Sequence, residues 1–381
     1  MAHNTFYHTD LGAQQVRDTA GQLVAMLDQC LVNGGPTFSV TGITRSGATA
    51  TATTTAHGLS PGSVYPVERR LTISGASQAD YNGTFLCNIT SGTTFTYTVA
   101  NSPTTPATGT ILANTAPLGW TIAFTASNKR SYLQGAGSNG FYLDVDDTNG
   151  GYALVRGYET MSAIATGSGL FPTVAQSALN TFCWQKADSA VDREWVVCGN
   201  SKVFHLFIAP TGFVSANGFA LYGFGDNTSE VSGDVYQTQL LGSTSTTPNA
   251  NTASGAIALA AAINMTSTSR YMARLATGVG TAIPVGLHSD ATKNATANPG
   301  TGSMTYPSLN GGLYIAPLVL HHNSSPRATT SGVFDICHNK PLTHLDYFGG
   351  NGAYAGKRFQ AINVRAASGS SGQVALEVSA W

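Results

Sequence analysis

Charge is what this chain has least of. Asp, Glu, Lys and Arg make up 10% of its 381 residues, where a soluble domain averages about 25%. With 18 basic and 19 acidic residues the formal net charge is −1, and no basic stripe is present to follow a phosphate backbone, so nucleic acid is not an expected partner. Long apolar runs are also missing. Nothing approaches the roughly 18 residues a membrane helix needs, and the opening MAHNTFYHTDLGAQQVRD has neither the basic start nor the apolar core of a secretory signal. The expectation is a soluble chain made in the cytosol, with no membrane span, in which Asn82-Gly-Thr and Asn88-Ile-Thr carry no glycosylation meaning. Cysteine is scarce: Cys30, Cys87, Cys183, Cys198 and Cys337 are odd in number, widely spaced and without a CxxC pair. That excludes a zinc ribbon and points to buried free thiols.

Catalytic signatures are lacking as well. There is no GxSxG elbow, no Cys/His nucleophile pattern and no phosphate-binding P-loop. GAGSNG at residues 135–140 matches GxGxxG, but a dinucleotide site needs that loop to open a helix, and here the strand-like FYLDVDD follows. It reads as a turn. Asp188, Asp192 and Glu194 cluster before REWVVC, where a solvated loop leading into a strand is the ordinary explanation. The expectation is a protein that is not an enzyme, with no catalytic residues, no cofactor and no bound metal.

What the chain has is glycine, 43 residues of it, with abundant Thr, Ser and scattered aromatics. β-Branched and aromatic residues suit pleated strands and glycine suits tight turns, so the fold class reads as mainly β. The length allows two or three domains. A surface so poor in Lys and Glu is weakly defended against association, which points to homo-oligomeric assembly. The convincing helix lies near the N-terminus, where Ala20, Leu23, Val24, Leu27 and Leu31 share one face. Asp18 or Thr19 is its expected N-cap, and Asn33-Gly34-Gly35-Pro36 its stop. From about Phe38 to Ala113 the runs SVTGI, ATATATTTA, RRLTI, TFLCNI, TFTYTVA and TGTILA read as short strands of a small antiparallel sandwich or barrel. Beyond Ala116 come more aromatic strands: GWTIAFT, RSYLQ, NGFYLDV, GYALVRGYE, REWVVC, KVFHLFIA, FALYGFGD, GLYIAPLVL, KRFQAINV and GQVALEV. Stretches such as GSTSTTPNANTASG read as surface loops or contact arms. No fixed period suggests a solenoid or propeller.

Three clusters are candidates for binding. Residues 144–151 put Asp144, Asp146, Asp147 and Asn149 before Gly150 and Gly151. A calcium loop of EF-hand type wants oxygen at its fifth position, glycine at its sixth and glutamate at its twelfth, but Thr148, Asn149 and Val155 stand there. Strand-like flanks favour a hairpin turn, with incidental calcium binding as the alternative. Residues 321–346 hold His321, His322, Cys337, His338, His344 and Asp346, which suit zinc chemically. Adjacent histidines on a strand face opposite ways, however, and no HxH or HExxH is present, so loop histidines at an interface are the plainer reading. Exposed aromatics could form a sugar platform, yet Trp120, Trp184, Trp195 and Trp381 are more often core or interface anchors.

Two sets of residues resemble known proteins. AHGLSPG, TISGASQADYNGTF and TSGTTFTYTVANSPTTPATGTI resemble the small Ig-like β-sandwich modules that decorate tailed-bacteriophage virion proteins. The stretches AGQLVAMLDQCLVNG, the run from GWTIAFTASNKRSYLQ to SGLFPT, LYGFGD and YAGKRFQAINV resemble a family of tailed-phage virion structural proteins. The resemblance implies three parts. Residues 1–37 form an N-terminal segment and helix of the main domain, 38–115 an inserted Ig-like sandwich, and 116–381 the main β-sandwich or barrel-like domain. It also implies a virion location, other phage virion proteins as partners, and a structural role in several copies in the tail, baseplate or neck. The alternatives are a capsid decoration protein displaying the sandwich outward, and an adsorption protein that binds a host-surface glycan. No catalytic or ligand residues belong to the family pattern.

Overall fold

The computed structural model describes residues 4–9, 12–59, 66–177, 181–211, 219–248, 269–289, 312–338, 342–365 and 371–379. Strand β1 (Thr5–His8) leads to helix α1 (Gln22–Leu27), which continues as a wider π turn (Asp28–Asn33). The helix buries Leu23, Val24, Met26, Leu27, Cys30 and Leu31, the recurrence that lines one helical face. Its start differs from the expected cap at Asp18 or Thr19. The N-cap is Gly21 at φ 82°, which has no side chain to offer, and an acceptor from a distant hairpin takes over. The stop is where it was expected: Gly34 turns the chain at φ 86°, and a Cβ there would meet the Thr115 carbonyl at 2.7 Å.

The Thr-rich region supplies β2 (Phe38–Ser46), β3 (Thr49–Thr54), β4 (Glu68–Ala76), β5 (Gly83–Ile89), β6 (Thr94–Thr98) and β7 (Gly109–Thr115). They form a closed barrel in the order β2-β3-β6-β5-β4-β7, the barrel form of the small antiparallel sandwich or barrel read from the alternation. Closure follows from β7, the last in the order, which pairs with its neighbour β4 and also with β2, the first: Ala113 lies opposite Ile73 on β4 and Phe38 on β2. Small residues face large ones across the inner wall, with Ala50 opposite Tyr97 and Ala52 opposite Phe95. The barrel therefore fills its own core, which among the described residues draws on none from outside it.

The rest of the chain supplies β8 (Thr121–Ala126), β9 (Lys129–Leu133), β10 (Tyr142–Asp146), β11 (Tyr152–Tyr158), β12 (Thr160–Ala163), β13 (Thr166–Ser168) and β14 (Cys183–Gln185). Then come β15 (Trp195–Gly199), β16 (Val203–Ile208), β17 (Ala220–Asp226), β18 (Thr228–Ser229), β19 (Thr238–Leu241), β20 (Arg270–Met272) and β21 (Ile283–Pro284). The chain closes with β22 (Gly286–Ser289), β23 (Ile315–His322), β24 (Ser325–Ile336), β25 (Tyr347–Gly349), β26 (Arg358–Arg365) and β27 (Ser371–Glu377).

Three antiparallel sheets stack. The central one runs β1-β15-β16-β17-β19-β20-β21, one flank β14-β11-β10-β9-β8, and the other β22-β23-β24-β27-β26-β25 with β18 added to β24. Period-two alternation on the central strands sorts their side chains. Trp195, Val197, Phe204, Leu206, Ile208, Tyr222 and Phe224 join α1, Leu143, Val145 and Val155 in one core. Val196, Cys198, Phe207, Phe219 and Leu221 join Leu320, Val333, Ile362 and Leu376 in the other. Covered on both sides, the central strands read as unbroken apolar runs. Each fully buried Phe, Leu or Ile there contributes about 1.5–3 kcal/mol. On the far face of the β22–β27 sheet, Phe334, Ile336, Phe359, Ala361 and Ala375 form a smaller cluster under the partly buried Phe348 and Tyr354.

Candidate functional site

The acidic stretch 144–151 is the hairpin between β10 and β11, with Asp146 opposite Leu154. Each acid serves a different neighbour. Asp144 accepts from Ser131 Oγ at 2.6 Å and from the Ala165 backbone. Burial raises its carboxyl above the usual range, with those bonds pulling the other way. Asp146 pairs with Lys129 Nζ at 2.7 Å and accepts from Thr148 Oγ1 at 2.7 Å. Burial would raise it too, but Lys129 and Thr148 outweigh burial and hold it low. Asp147 is the missing helix cap: Oδ2 accepts from the Leu23 and Val24 amides at 2.7 and 3.2 Å. Its Oδ1 meets Lys186 Nζ, and both side chains are fully buried. Burial pushes Asp147 up to about 6 against the pull of Lys186 and the two amides, and it lowers Lys186. Asn149 Oδ1 closes the turn onto the Gly151 amide at 2.9 Å.

Residues 321–346 are also taken up structurally. His321 and His322 end β23 before a turn at Asn323 and Ser324 (φ 48° and 67°), and β24 follows. His321 is buried and His322 half-buried, with His322 Nδ1 2.9 Å from the Pro284 carbonyl. His338 Nε2 accepts from the Tyr314 amide at 2.9 Å. His344 Nδ1 accepts from the Asn363 amide at 3.0 Å, and Asp346 Oδ2 from the Thr343 amide at 2.7 Å. Cys337 is buried, as are the other four cysteines. Among the described residues no three His, Cys, Asp or Glu side chains are placed to hold a metal ion.

The structure brings together one set of residues that the sequence keeps far apart. Glu194 Oε1 lies 3.2 Å from His8 Nε2 and 3.5 Å from His344 Nε2. Burial alone would raise the Glu194 carboxyl, but the two imidazoles outweigh it and bring it down to about 2. Its neighbours Asp188 and Asp192 pair instead with Arg193 and Arg17. GAGSNG is the β9–β10 connection, a turn as read from the sequence, in which a Cβ on Gly135 would meet the Gly119 carbonyl at 2.1 Å. Beside it a polar cavity of about 190 Å³ is lined by Gly137, Asn139, Lys202, Asp226 and Gln237. Asp226 spends its oxygens on Gln134, Thr238 and the Asn139 amide, at 2.9, 2.6 and 2.8 Å.

Trp120, Trp184 and Trp195 are core residues, and their indole N–H groups donate to the carbonyls of Asn200, Leu241 and Gln14. They form no platform, and Trp381 lies outside the described residues. The aromatic concavity is elsewhere. On the face of the β22–β27 sheet turned away from the central sheet a cavity of about 470 Å³ is lined by Tyr314, Phe348, Tyr354, Asn351 and the glycines around them. Its walls are braced from beneath. Tyr314 stacks on His338 with centroids 6.0 Å apart, Phe348 stacks on Phe359 at 5.5 Å, and Tyr354 meets Phe334 edge-on at 5.2 Å. Comparison with known proteins finds no family model and no curated protein that matches this chain.

Proposed function

We propose that the chain is a non-enzymatic structural component of a tailed-bacteriophage virion, assembled with itself and with other particle proteins in the tail, baseplate or neck. The observation that carries this reading is a patch that gathers four of the eight exposed large apolar side chains of the described residues. Val231, Val235, Leu275 and Val279 are 48, 52, 36 and 67% exposed and belong to two loops that touch. Gly278 lies against the Tyr236 ring, and Arg327 joins Asp234 to the Arg274 carbonyl. Arg274 also pairs with Glu159, the residue before the β12–β13 hairpin, whose strands carry no charge and, among the described residues, pair with no other strand. Monomeric proteins seldom leave apolar patches uncovered, and a two-stranded hairpin alone is marginal in water. A second copy covering loops and hairpin together answers both. The charge-poor composition supports it by leaving little repulsion between copies. The particle assignment rests on the sequence resemblance, and the self-contained barrel suits a module inserted between helix and sheet.

Light scattering on the purified chain tests the assembly, with an oligomer expected and the Val231→Asp, Val279→Asp double variant shifted towards monomer. Immunogold microscopy on virions with antibody to the barrel tests the location. Gold at tail tip or neck supports the reading, gold over the head replaces it with a decoration protein, and a monomer absent from particles sinks it.

A further inference from the structure

The cavity on the outer face of the β22–β27 sheet, away from the central sheet, has a size, a floor and a chemistry that together select a ligand class. About 470 Å³ is the volume of a small-molecule site. Phe334 and Phe359, 8 and 0% exposed, fix the floor, and the wall rings Phe348 and Tyr354 rest on them. Tyr314, at 42%, is among the most exposed aromatic side chains of the described residues and sits on the buried His338. None of the lining residues is charged, so nothing there would repay the desolvation of an ionic ligand. The polar groups are the exposed Asn351 amide and the backbone of Gly349, Gly350 and Gly352, where the absence of side chains lets a ligand approach the peptide groups. The loop is held in one shape by Gly350 N donating to Lys357 O at 2.9 Å and Tyr354 N to Asn351 O at 3.1 Å. A Cβ on Gly350 would meet the Tyr354 carbonyl at 2.3 Å.

We propose that this cavity binds a neutral pyranose ring of a glycan. The ring's C–H face would stack on Tyr314, Phe348 and Tyr354, and its hydroxyls would meet Asn351 and the glycine backbone. Aromatic faces with a few neutral hydrogen-bonding groups match a molecule that is apolar on its ring faces and polar around its edge. A lipid chain would leave the Asn351 amide and the peptide groups unanswered, and an anion would find no cation among the lining residues. The proposal does not depend on the assembly reading, because it concerns the isolated chain.

The test is titration of the purified full chain with maltose, cellobiose, lactose and N,N′-diacetylchitobiose, followed by saturation-transfer NMR and calorimetry, with glucuronic acid as a charged control. Saturable binding of at least one neutral sugar, insensitive to salt, is expected. Tyr314→Ala and Tyr354→Ala should weaken it about tenfold, the loss of one stacking contact of about 1.4 kcal/mol, while Tyr354→Phe keeps most of it. Asn351→Ala, at an exposed position that cannot unfold the sheet, should weaken it several-fold with an unchanged urea midpoint. No binding of any neutral sugar overturns the proposal, as does equal binding by the variants or a preference for glucuronic acid. Failure here leaves oligomerisation and virion location to be judged on their own measurements.

Discussion

Asp147 and Lys186 form a pair whose removal can be worked through in numbers. Both side chains are fully buried, and Asp147 also caps the Leu23 and Val24 amides. Taking away one partner strands the other charge away from water, which costs about 3–5 kcal/mol. Lys186→Met should fall near the lower end, because the two amides still answer the carboxylate. Asp147→Asn should also fall near the lower end, because burial already opposes the carboxylate charge and Lys186 keeps the Thr19 carbonyl and the nearby charge of Asp18. The double variant removes both desolvation penalties and should lie within about 1–2 kcal/mol of wild type, a coupling of several kcal/mol in the mutant cycle. Urea unfolding reads this through Trp184 and Trp195, which share a core with α1. With a slope of about 3 kcal/mol per molar, each single variant should move the midpoint down by about 1–1.5 M. The pH dependence has a definite sign. The folded carboxyl, raised to about 6 from 3.8, binds its proton more tightly than the unfolded one. Its contribution is therefore complete below about pH 4 and lost as the pH rises through 6, a slope that Asp147→Asn should lack. Single variants that each cost under 1 kcal/mol, or a double variant as unstable as the sum of the two, would refute the reasoning.

Glu194 has the opposite sign: held down to about 2 by His344 and His8 against its burial, it contributes stability that is present above about pH 4.5 and lost as the pH falls through 2. Acid titration should thus show Glu194→Gln less stable than wild type at pH 6 and indistinguishable near pH 2. Gly157→Ala should cost about 1–3 kcal/mol by overpacking, since the new methyl would sit 2.2 Å from the ring of the fully buried Phe171, and calorimetry on the variant checks it. All five cysteines are buried and free, and burial raises the thiols of Cys30, Cys87, Cys183 and Cys198, so a thiol reagent should find none in the native protein and five in guanidinium chloride. A fragment spanning residues 36–116 should fold alone, giving a β-type circular dichroism spectrum and cooperative unfolding, because its core draws, among the described residues, on none outside it.

The legibility of the fold followed how local each signal was. All six Thr-rich runs became β2 to β7, because alternation and turn residues act within a few positions. Whether the six would close on themselves was not written locally. It depends on Ala113 meeting both Phe38 and Ile73, residues about 75 and 40 positions away. The cap of α1 was misplaced for the same reason. Asp18 and Thr19 had the right chemistry at the right spacing, yet the acceptor came from Asp147, more than a hundred residues on. The 12-residue strand β24 was hidden by its composition: SPRATTSGVFDI has one proline, small polar residues and a glycine, the vocabulary of a loop. It is a strand because β23, β27 and β18 pair with it, a tertiary override of weak local preference.

Sites were less legible than strands because the residues richest in chemistry were the ones the fold consumed. The hairpin acids each answer a partner that sequence spacing does not reveal, and the histidines of residues 321–346 sit at the end of β23, just past β24 and in the turn before β25. The aromatic cavity gave the reverse impression. Tyr314 and Phe348 sit in stretches that read as ordinary strand and loop, and the sheet order β23-β24-β27-β26-β25 is what brings their segments to one face. On β26, Phe359 faces outward with Ala361 while Ile362 and Val364 face the core. Alternation could announce that two faces exist, but only the stacking of sheets decides which is covered. The central sheet spends both faces on packing and the β22–β27 sheet spends one. Among the described residues the rings on its other face pack on one another and not on a second sheet, and they are where a ligand should be sought.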